Sequence, residues 1–362
     1  MPFDDFMAEA LYAPGLGYYS GSRRIFGHGP AGGSDFVTAP ELSPFFGRAL
    51  AVQVREALTA VQSDRVFEFG AGSGALAEQL LDALDADDAD DDGLLRPPVD
   101  YVIVELSGEL RARQQARLAR FAPRVRWVDA WPERLDGVVV GNEVLDAMPV
   151  KLLHRQGGRW HERGVVDAGG ALPGQRFAFA DLDLPFEPEG ETQAAEALAA
   201  EDFADGTVTE IHPVAEGFVA SLAQRLQRGV AILVDYGFPE HEYYHPQRSG
   251  GTLMCHQAHR ADTNPLVAVG EKDITAHVNF SGIALAAQEA GLEVLGYTSQ
   301  ARFLINCGLV DLLSAASVAE RANAQKLVNE HEMGELFKVI LLARGAGLDP
   351  VGFRTGDRTH RL

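Results

Sequence analysis

Short apolar runs alternate along this chain with longer stretches whose apolar residues recur at helical spacing. Runs at 65–69, 100–105, 125–128, 137–140 and 230–235 are almost wholly apolar and predict strands buried on both faces of a sheet. The helical pattern predicts helices over 44–60, with Ser43 as N-cap, and over 75–84, 108–119, 213–228 and 281–290. The apolar runs 292–298 and 336–343 are the candidates for the last two strands. Strands and helices in this order predict a mostly parallel, seven-stranded α/β sheet with helices on both faces, built like a Rossmann fold.

Three stretches interrupt that rhythm. The first 50 residues are dense in Gly, Pro and Tyr (YAPGLGYYSGSRRIFGHGPAGGS) and read as loop; interleaved aromatics suit a lid that closes on a site. Residues 150–154 and 160–166 flank Gln156-Gly157-Gly158, a hairpin signal, and 185–206 is acidic and poorly periodic. The expected division is therefore an N-terminal lid and helical region (1–60), a ligand-binding α/β domain (61–149 and 211–362, with a loop-rich insertion at 237–280), and an inserted hairpin subdomain (150–210).

Charge narrows the partners. A formal net charge of −21 repels a phosphate backbone and anionic lipid, so nucleic acid is excluded and basic partners are favoured. The tract Asp85 to Asp92 (DADDADDD) carries part of this charge and reads as a solvated loop. No apolar run reaches the roughly 18 to 20 residues of a membrane span, so no membrane insertion is expected. The first residues, with Asp4, Asp5 and Glu9, resemble neither a secretory signal nor an Arg-rich presequence, which leads to the expectation of a cytoplasmic protein. Cys255 and Cys307 stand in no metal-ligand spacing, and no metal is expected.

Candidate chemistry centres on Glu68-Phe69-Gly70-Ala71-Gly72-Ser73-Gly74, a glycine turn between the first strand and its helix. Such a turn lets the backbone approach a ligand and aims free N–H groups at a carboxylate. A dinucleotide site favours G-x-G-x-x-G; here the third glycine comes one residue early, which favours a ligand without phosphates, such as S-adenosylmethionine, over NAD. Glu105, with Leu106 beside it, ends the second strand, where a carboxylate can accept both ribose hydroxyls. Asp129 and Ala130, with Trp131, follow the third strand and suit an adenine ring, and Asn142-Glu143 follow the fourth. Acids at successive strand C-termini beside a glycine turn predict a class I methyltransferase site.

The chain resembles the MidA-type family of S-adenosylmethionine-dependent methyltransferases. The likeness is carried by Gly15-Leu16-Gly17-Tyr18-Tyr19, Asp35 to Glu41, Glu68 to Gly74, Val104 to Ser107, Gly141-Asn142-Glu143-Val144-Leu145-Asp146-Ala147, Val234-Asp235-Tyr236-Gly237 and Thr275 to Phe280. Segment 22–34 is longer and richer in glycine than that family leads one to expect. The resemblance implies methylation of an arginine of a respiratory complex I subunit or a similar protein, an activity that belongs to complex I assembly in mitochondrial members. For such an acceptor Glu143, Asp146 and Glu41 are candidate guanidinium ligands and His277 a candidate proton acceptor. Asn142 and Glu143 can instead hold the cofactor's amino group, Asp146 can cap the following turn, and Asp235, at the end of its strand, can line the cleft or merely cap it. A small-molecule methyltransferase and a non-catalytic, cofactor-binding assembly chaperone stay open, and so does oligomeric state, a homodimer included.

Overall fold

A computed structural model describes residues 1–20, 37–86, 98–172, 175–187, 193–199 and 203–362; segment 22–34 and most of the acidic tract lie outside them. The strands are β1 (Arg65–Phe69), β2 (Asp100–Val104), β3 (Val125–Val128), β4 (Leu135–Asn142), β5 (Lys151–Gln156), β6 (Arg159–Leu172), β7 (Gln175–Pro185), β8 (Val208–Ile211), β9 (Leu226–Phe238), β10 (Met254–Gln257), β11 (Arg260–Asp262), β12 (Asp273–Thr275), β13 (Val278–Asn279), β14 (Glu293–Ser299) and β15 (Phe337–Arg344). The helices that matter to the site are α1 (Phe3–Tyr12), α2 (Ala39–Leu42), α3 (Phe45–Val61), α4 (Ala75–Ala86), α5 (Gly108–Arg117), α6 (Ala195–Ala199), α7 (Pro213–Arg225), α8 (Glu240–Tyr243) and α9 (Phe280–Glu289).

Among the described residues the central sheet has eight strands: seven run in the order β14-β15-β9-β4-β1-β2-β3, and the short β13 pairs with β9 off that path. The pairs β9-β4, β4-β1, β1-β2 and β2-β3 are parallel, and β15 runs antiparallel to both neighbours. Because side chains alternate across a strand, the apolar runs sort themselves between two cores. Val66, Val138, Val140, Val230, Ile232, Val339 and Leu341 face the layer that holds α3 and α4. Phe67, Phe69, Val139, Ala231, Leu233, Ile340 and Leu342 face α7 and α9.

Two glycines let the strands approach at the edge away from the site. A Cβ on Gly137 would lie 2.2 Å from the Arg65 carbonyl oxygen, and one on Gly229 2.3 Å from that of Gly137. Gly137 also has φ +140°, which side-chain-bearing residues rarely adopt. Gly137→Ala is therefore expected to destabilise the fold by about 3 kcal/mol or more in denaturant titration, since backbone strain and a backbone clash add. A loss under about 1 kcal/mol would show that β1 and β4 can separate freely.

Outside the central sheet, β7-β6-β5-β8 form an antiparallel sheet of four strands and β11-β10-β12 one of three. The N-terminal stretch read as loop begins with α1, whose Phe3, Phe6, Met7, Ala10 and Leu11 share one buried face. These pack with Leu152, Val165, Cys255 and Ile274, so α1, the inserted sheet and the 254–276 region share a core. Helix α3, in contrast, packs on the central sheet. The acidic stretch also holds regular structure, with β7 ending at Pro185 and α6 following. Among the described residues no helix is long and apolar enough to cross a membrane, and no cluster of His, Cys, Asp and Glu is arranged to hold a metal ion.

Candidate active site

The C-terminal ends of the parallel strands β1, β2, β4 and β9 lie side by side along one edge of the sheet. At the end of β1 the chain turns through Gly70, Gly72 and Gly74, all with positive φ (67°, 52° and 81°), and enters α4. Only glycine takes all three conformations without strain, and at Gly70 a Cβ would also lie 2.8 Å from Val144 Cγ2. Glu68, buried on β1, accepts a 2.8 Å hydrogen bond from Tyr101 Oη. Burial raises its carboxyl to about 8, against that bond, with the Glu105 charge adding to the rise.

Glu105 stands just past β2. Its carboxylate accepts from Ser107 N–H (2.8 Å) and Gln114 Nε2 (2.9 Å), and Gln114 Nε2 also reaches the Gly72 carbonyl (2.9 Å). Trp127 Nε1 completes the chain by donating to Gln114 Oε1 (2.9 Å). One glutamine on α5 thus locks the glycine turn and the β2 acid in a fixed relation. Leu106 beside it is 82% exposed. Asp129 and Ala130 are exposed at the end of β3, while Trp131 turns inward onto Phe69 (ring centroids 4.4 Å) and Phe218 (4.9 Å).

At the end of β4, Asn142 Nδ2 donates to Glu143 Oε1 (2.8 Å), and Asn142 Oδ1 is buried with no partner. Glu143 itself has φ +54°, a strained conformation for a long side chain, of a kind that clusters at functional sites. What holds it there is Asp235 on β9: Asp235 Oδ2 accepts the N–H groups of Val144 (3.1 Å), Leu145 (2.9 Å) and Asp146 (3.3 Å). Glu143 N–H bonds the Val234 carbonyl (2.8 Å). Asp235 is therefore the anchor of the turn.

Asp146 accepts from Tyr236 Oη (2.7 Å) through Oδ2, and its Oδ1 is buried and unpartnered. Burial raises Glu143 to about 8, with the Asp146 charge adding to the rise and the Asn142 amide and Ala39 N–H opposing it. Burial raises Asp146 to about 6, the Tyr236 bond opposing it. Asp235 is raised as well, by burial and then by the charges of Asp146 and Glu143. Among the described residues no Lys or Arg bonds Glu143, Asp146 or Asp235, so the buried carboxyls of Asp146 and Asp235 and the half-buried one of Glu143 lie together without a cation.

The remaining walls come from distant segments. Tyr12 Oη bonds the Ala147 carbonyl (2.8 Å), its ring stacks on Tyr19 (5.6 Å), and Tyr19 Oη donates to buried Asp273 Oδ1 (2.9 Å). His277 stacks on Phe238 (5.2 Å) and meets Tyr236 edge-on (5.1 Å). Burial, then the Arg248 charge, lowers its imidazole to about 4, so it is neutral at pH 7, and its Nδ1 is buried without a partner. Glu41, on α2, bonds Ser73 of the glycine turn and Arg117 Nη1 (3.1 Å), fastening α2 over that turn. The same short helix begins at Ala39, whose N–H reaches the Glu143 carboxyl.

The sequence left Gln114, Tyr12, Asp273 and the anchoring role of Asp235 unread. Asp273 had one signal, an acid two residues before the Thr275–Phe280 motif; its Tyr19 partner is 254 positions away.

The geometry can be compared with known proteins. Residues 49–298 match the model of a family of S-adenosyl-L-methionine-dependent methyltransferases. The chain belongs to this family. A Burkholderia thailandensis protein crystallised with S-adenosyl-homocysteine superposes with a TM-score of 0.90 at 51% identity, covering 100% of this chain and 92% of that one. A Drosophila melanogaster relative named a mitochondrial protein arginine methyltransferase NDUFAF7 homolog is 26% identical over 95% of this chain and 82% of its own. The human protein arginine methyltransferase NDUFAF7, also mitochondrial by name, is 26% identical over 93% and 79%. These names correct the expectation of a cytoplasmic location: the curated relatives are mitochondrial, and the composition of the first residues does not decide compartment.

The cofactor of the family fits the residues present. A glycine cradle open at Gly70, a buried carboxylate after β2 and the orphaned Asn142 Oδ1 are the acceptors and free backbone that a sulfonium nucleoside with an amino-acid end requires.

Proposed function

We propose that this methyltransferase modifies an arginine of a protein substrate, with the guanidinium received by Glu143 and Asp146. The observation that carries the reading is the group of buried, mutually repelling carboxyls at the ends of β4 and β9, with Asp146 Oδ1 unpartnered. Taking charge out of water is unfavourable unless a partner compensates, and a planar guanidinium offers paired N–H donors that match carboxylates. The names of the curated relatives agree with this choice and extend it to the arginine of a respiratory complex I subunit or a similar protein.

On this reading Gly70, Ala71, Gly72 and Gly74, with Glu68 behind them, and Asn142 hold the amino-acid end of the cofactor. Glu105 takes the ribose, while Leu106, Asp129 and Ala130 border the adenine. When bound, S-adenosylmethionine supplies an electrophilic methyl group. Everything else falls to the chain. Removing a proton from free arginine at pH 7 costs roughly 7 to 9 kcal/mol, so the guanidinium enters charged. Glu143 and Asp146 fix its plane, and Tyr12, Tyr19 and Tyr236 exclude water around it. The proton lost on transfer passes to a carboxylate or to neutral His277, whose Nδ1 is free to accept.

The pH profile follows from the raised carboxyls. Protonated, they attract no cation, so kcat/KM is expected to be low at pH 5.5 and to rise through the window from about 6 (Asp146) to about 8 (Glu143). A bound guanidinium stabilises the carboxylates, so the rise in kcat should fall at lower pH than that in kcat/KM. A profile flat or falling between pH 5.5 and 8.5 contradicts the reading. The identity test uses methyl-labelled S-adenosylmethionine and lysate from cells lacking the protein, followed by acid hydrolysis of the labelled proteins. Label in methylarginine is expected; label confined to small molecules would favour the small-molecule reading, and none anywhere the assembly chaperone.

A further inference from the structure

Beside the carboxylate chamber lies a cavity of about 420 Å³, lined by Tyr12, Trp131, Met148, Pro149, Phe218 and Arg225 among others. Its wall is largely apolar and aromatic: Trp131 and Phe218 meet at 4.9 Å, and Tyr12 is 44% exposed over the opening. Among the described residues its single charged lining residue is Arg225, on the last turn of α7. The Arg225 guanidinium lies over the Trp131 ring at 5.2 Å and donates to the Ser221 carbonyl (3.0 Å). Among the described residues no carboxylate pairs with it, in a chain whose 52 acidic residues outnumber its 31 Lys and Arg.

Two features join this cavity to the chamber. Tyr12 belongs to both, since its hydroxyl bonds Ala147 O and its electrostatic neighbours are Asp273 and Asp146. Met148 follows Asp146 by two residues, which bounds their separation at about 7 Å, the span of two extended peptide residues. A chain that places an arginine in the chamber therefore carries a residue a few positions away across the mouth of the cavity.

We infer that this cavity is a second recognition subsite for the protein substrate, taking a bulky apolar side chain with an adjacent carboxylate. The apolar group packs on Trp131, Phe218 and Met148, and the carboxylate pairs with Arg225. The arrangement is complementary in charge: the chamber accepts a cation, and the charged head of Arg225 in the cavity accepts an anion. The inference rests on the arginine reading above.

The test is a set of synthetic arginine-centred peptides, varied at each flanking position and methylated by the wild-type chain, Arg225→Glu and Phe218→Ala. The wild type is expected to prefer an aromatic or large aliphatic residue and an Asp or Glu at one fixed offset. In Arg225→Glu, KM for the acidic peptide should rise about tenfold with kcat and cofactor affinity nearly unchanged, and a Lys at that offset should restore it. Phe218→Ala should erase the aromatic preference alone. If Arg225→Glu fails to fold, Arg225→Gln keeps the stem and should flatten the acidic preference without reversing it. Arginine peptides methylated with the same flanking profile by all variants overturn the subsite and leave the arginine reading standing. If no arginine peptide is labelled while a small molecule is, the arginine reading falls and the subsite with it.

Discussion

Replacing Glu143 with Gln is expected to lower kcat by about 100-fold or more, the range seen when a positioned acid or base is lost, and to leave cofactor affinity nearly unchanged. Gln keeps the length and can still accept from Asn142, so the strained turn at φ +54° should persist. What disappears is the carboxylate that attracts the acceptor and spreads the positive charge during transfer. With Asp146 alone left, the upper part of the pH rise, near 8, should vanish and the part near 6 should remain. A cofactor affinity that falls in step with turnover would move Glu143 to the cofactor's amino group, which its Asn142 contact also permits. Unchanged turnover would remove it from the mechanism.

Glu105→Ala should do the reverse. A carboxylate accepting two ribose hydroxyls forms two charge-assisted hydrogen bonds, each worth about 1.5 kcal/mol or more, so affinity for S-adenosylhomocysteine should fall by about two powers of ten. Gln114 would also lose an acceptor, which loosens the link between α5 and the Gly72 carbonyl. At saturating cofactor kcat should recover most of its wild-type value, since Glu105 does not face the acceptor. Calorimetry checks the first expectation and a saturation series the second; wild-type affinity in the variant would place the ribose elsewhere.

The parts legible in the sequence are those written in local periodicity. Unbroken apolar runs such as Val138-Val139-Val140 and Val230 to Val234 are short and rich in β-branched residues, which favours strands covered on two faces, and the structure shows their side chains alternating between the two cores. The glycine turn was legible because three positive-φ positions leave a three-glycine trace. Helix α1 was missed although its pattern is plain: Phe3, Phe6, Met7, Ala10 and Leu11 recur at helical spacing, and the Gly-rich residues that follow drew the whole stretch toward loop. Strand β7 stayed unread just before the acidic segment: Phe177 and Phe179 alternate with Ala178 and Ala180, and only Asp181 and Asp183 about Leu182 mark an in-and-out pattern.

The chamber was half legible for a different reason. Its acids lie just past β4 or near the end of β9, and strand ends can be read; what each acid does depends on partners far along the chain. Asp235 could be read as lining or capping until its three N–H donors, 89 to 91 residues away, were placed. The partners of Glu41, Ser73 and Arg117, were equally out of reach of the sequence, since they come from the glycine turn and α5, 32 and 76 positions away.

The most direct test is the structure of the protein with S-adenosylhomocysteine and an arginine-containing peptide drawn from its labelled substrate. The account predicts the guanidinium nitrogens within about 3 Å of the Glu143 and Asp146 carboxylate oxygens, Asp146 Oδ1 among them. An arginine bound outside the cleft, with the chamber closed over Tyr12 and Tyr236 or filled by a neutral acceptor, would contradict it.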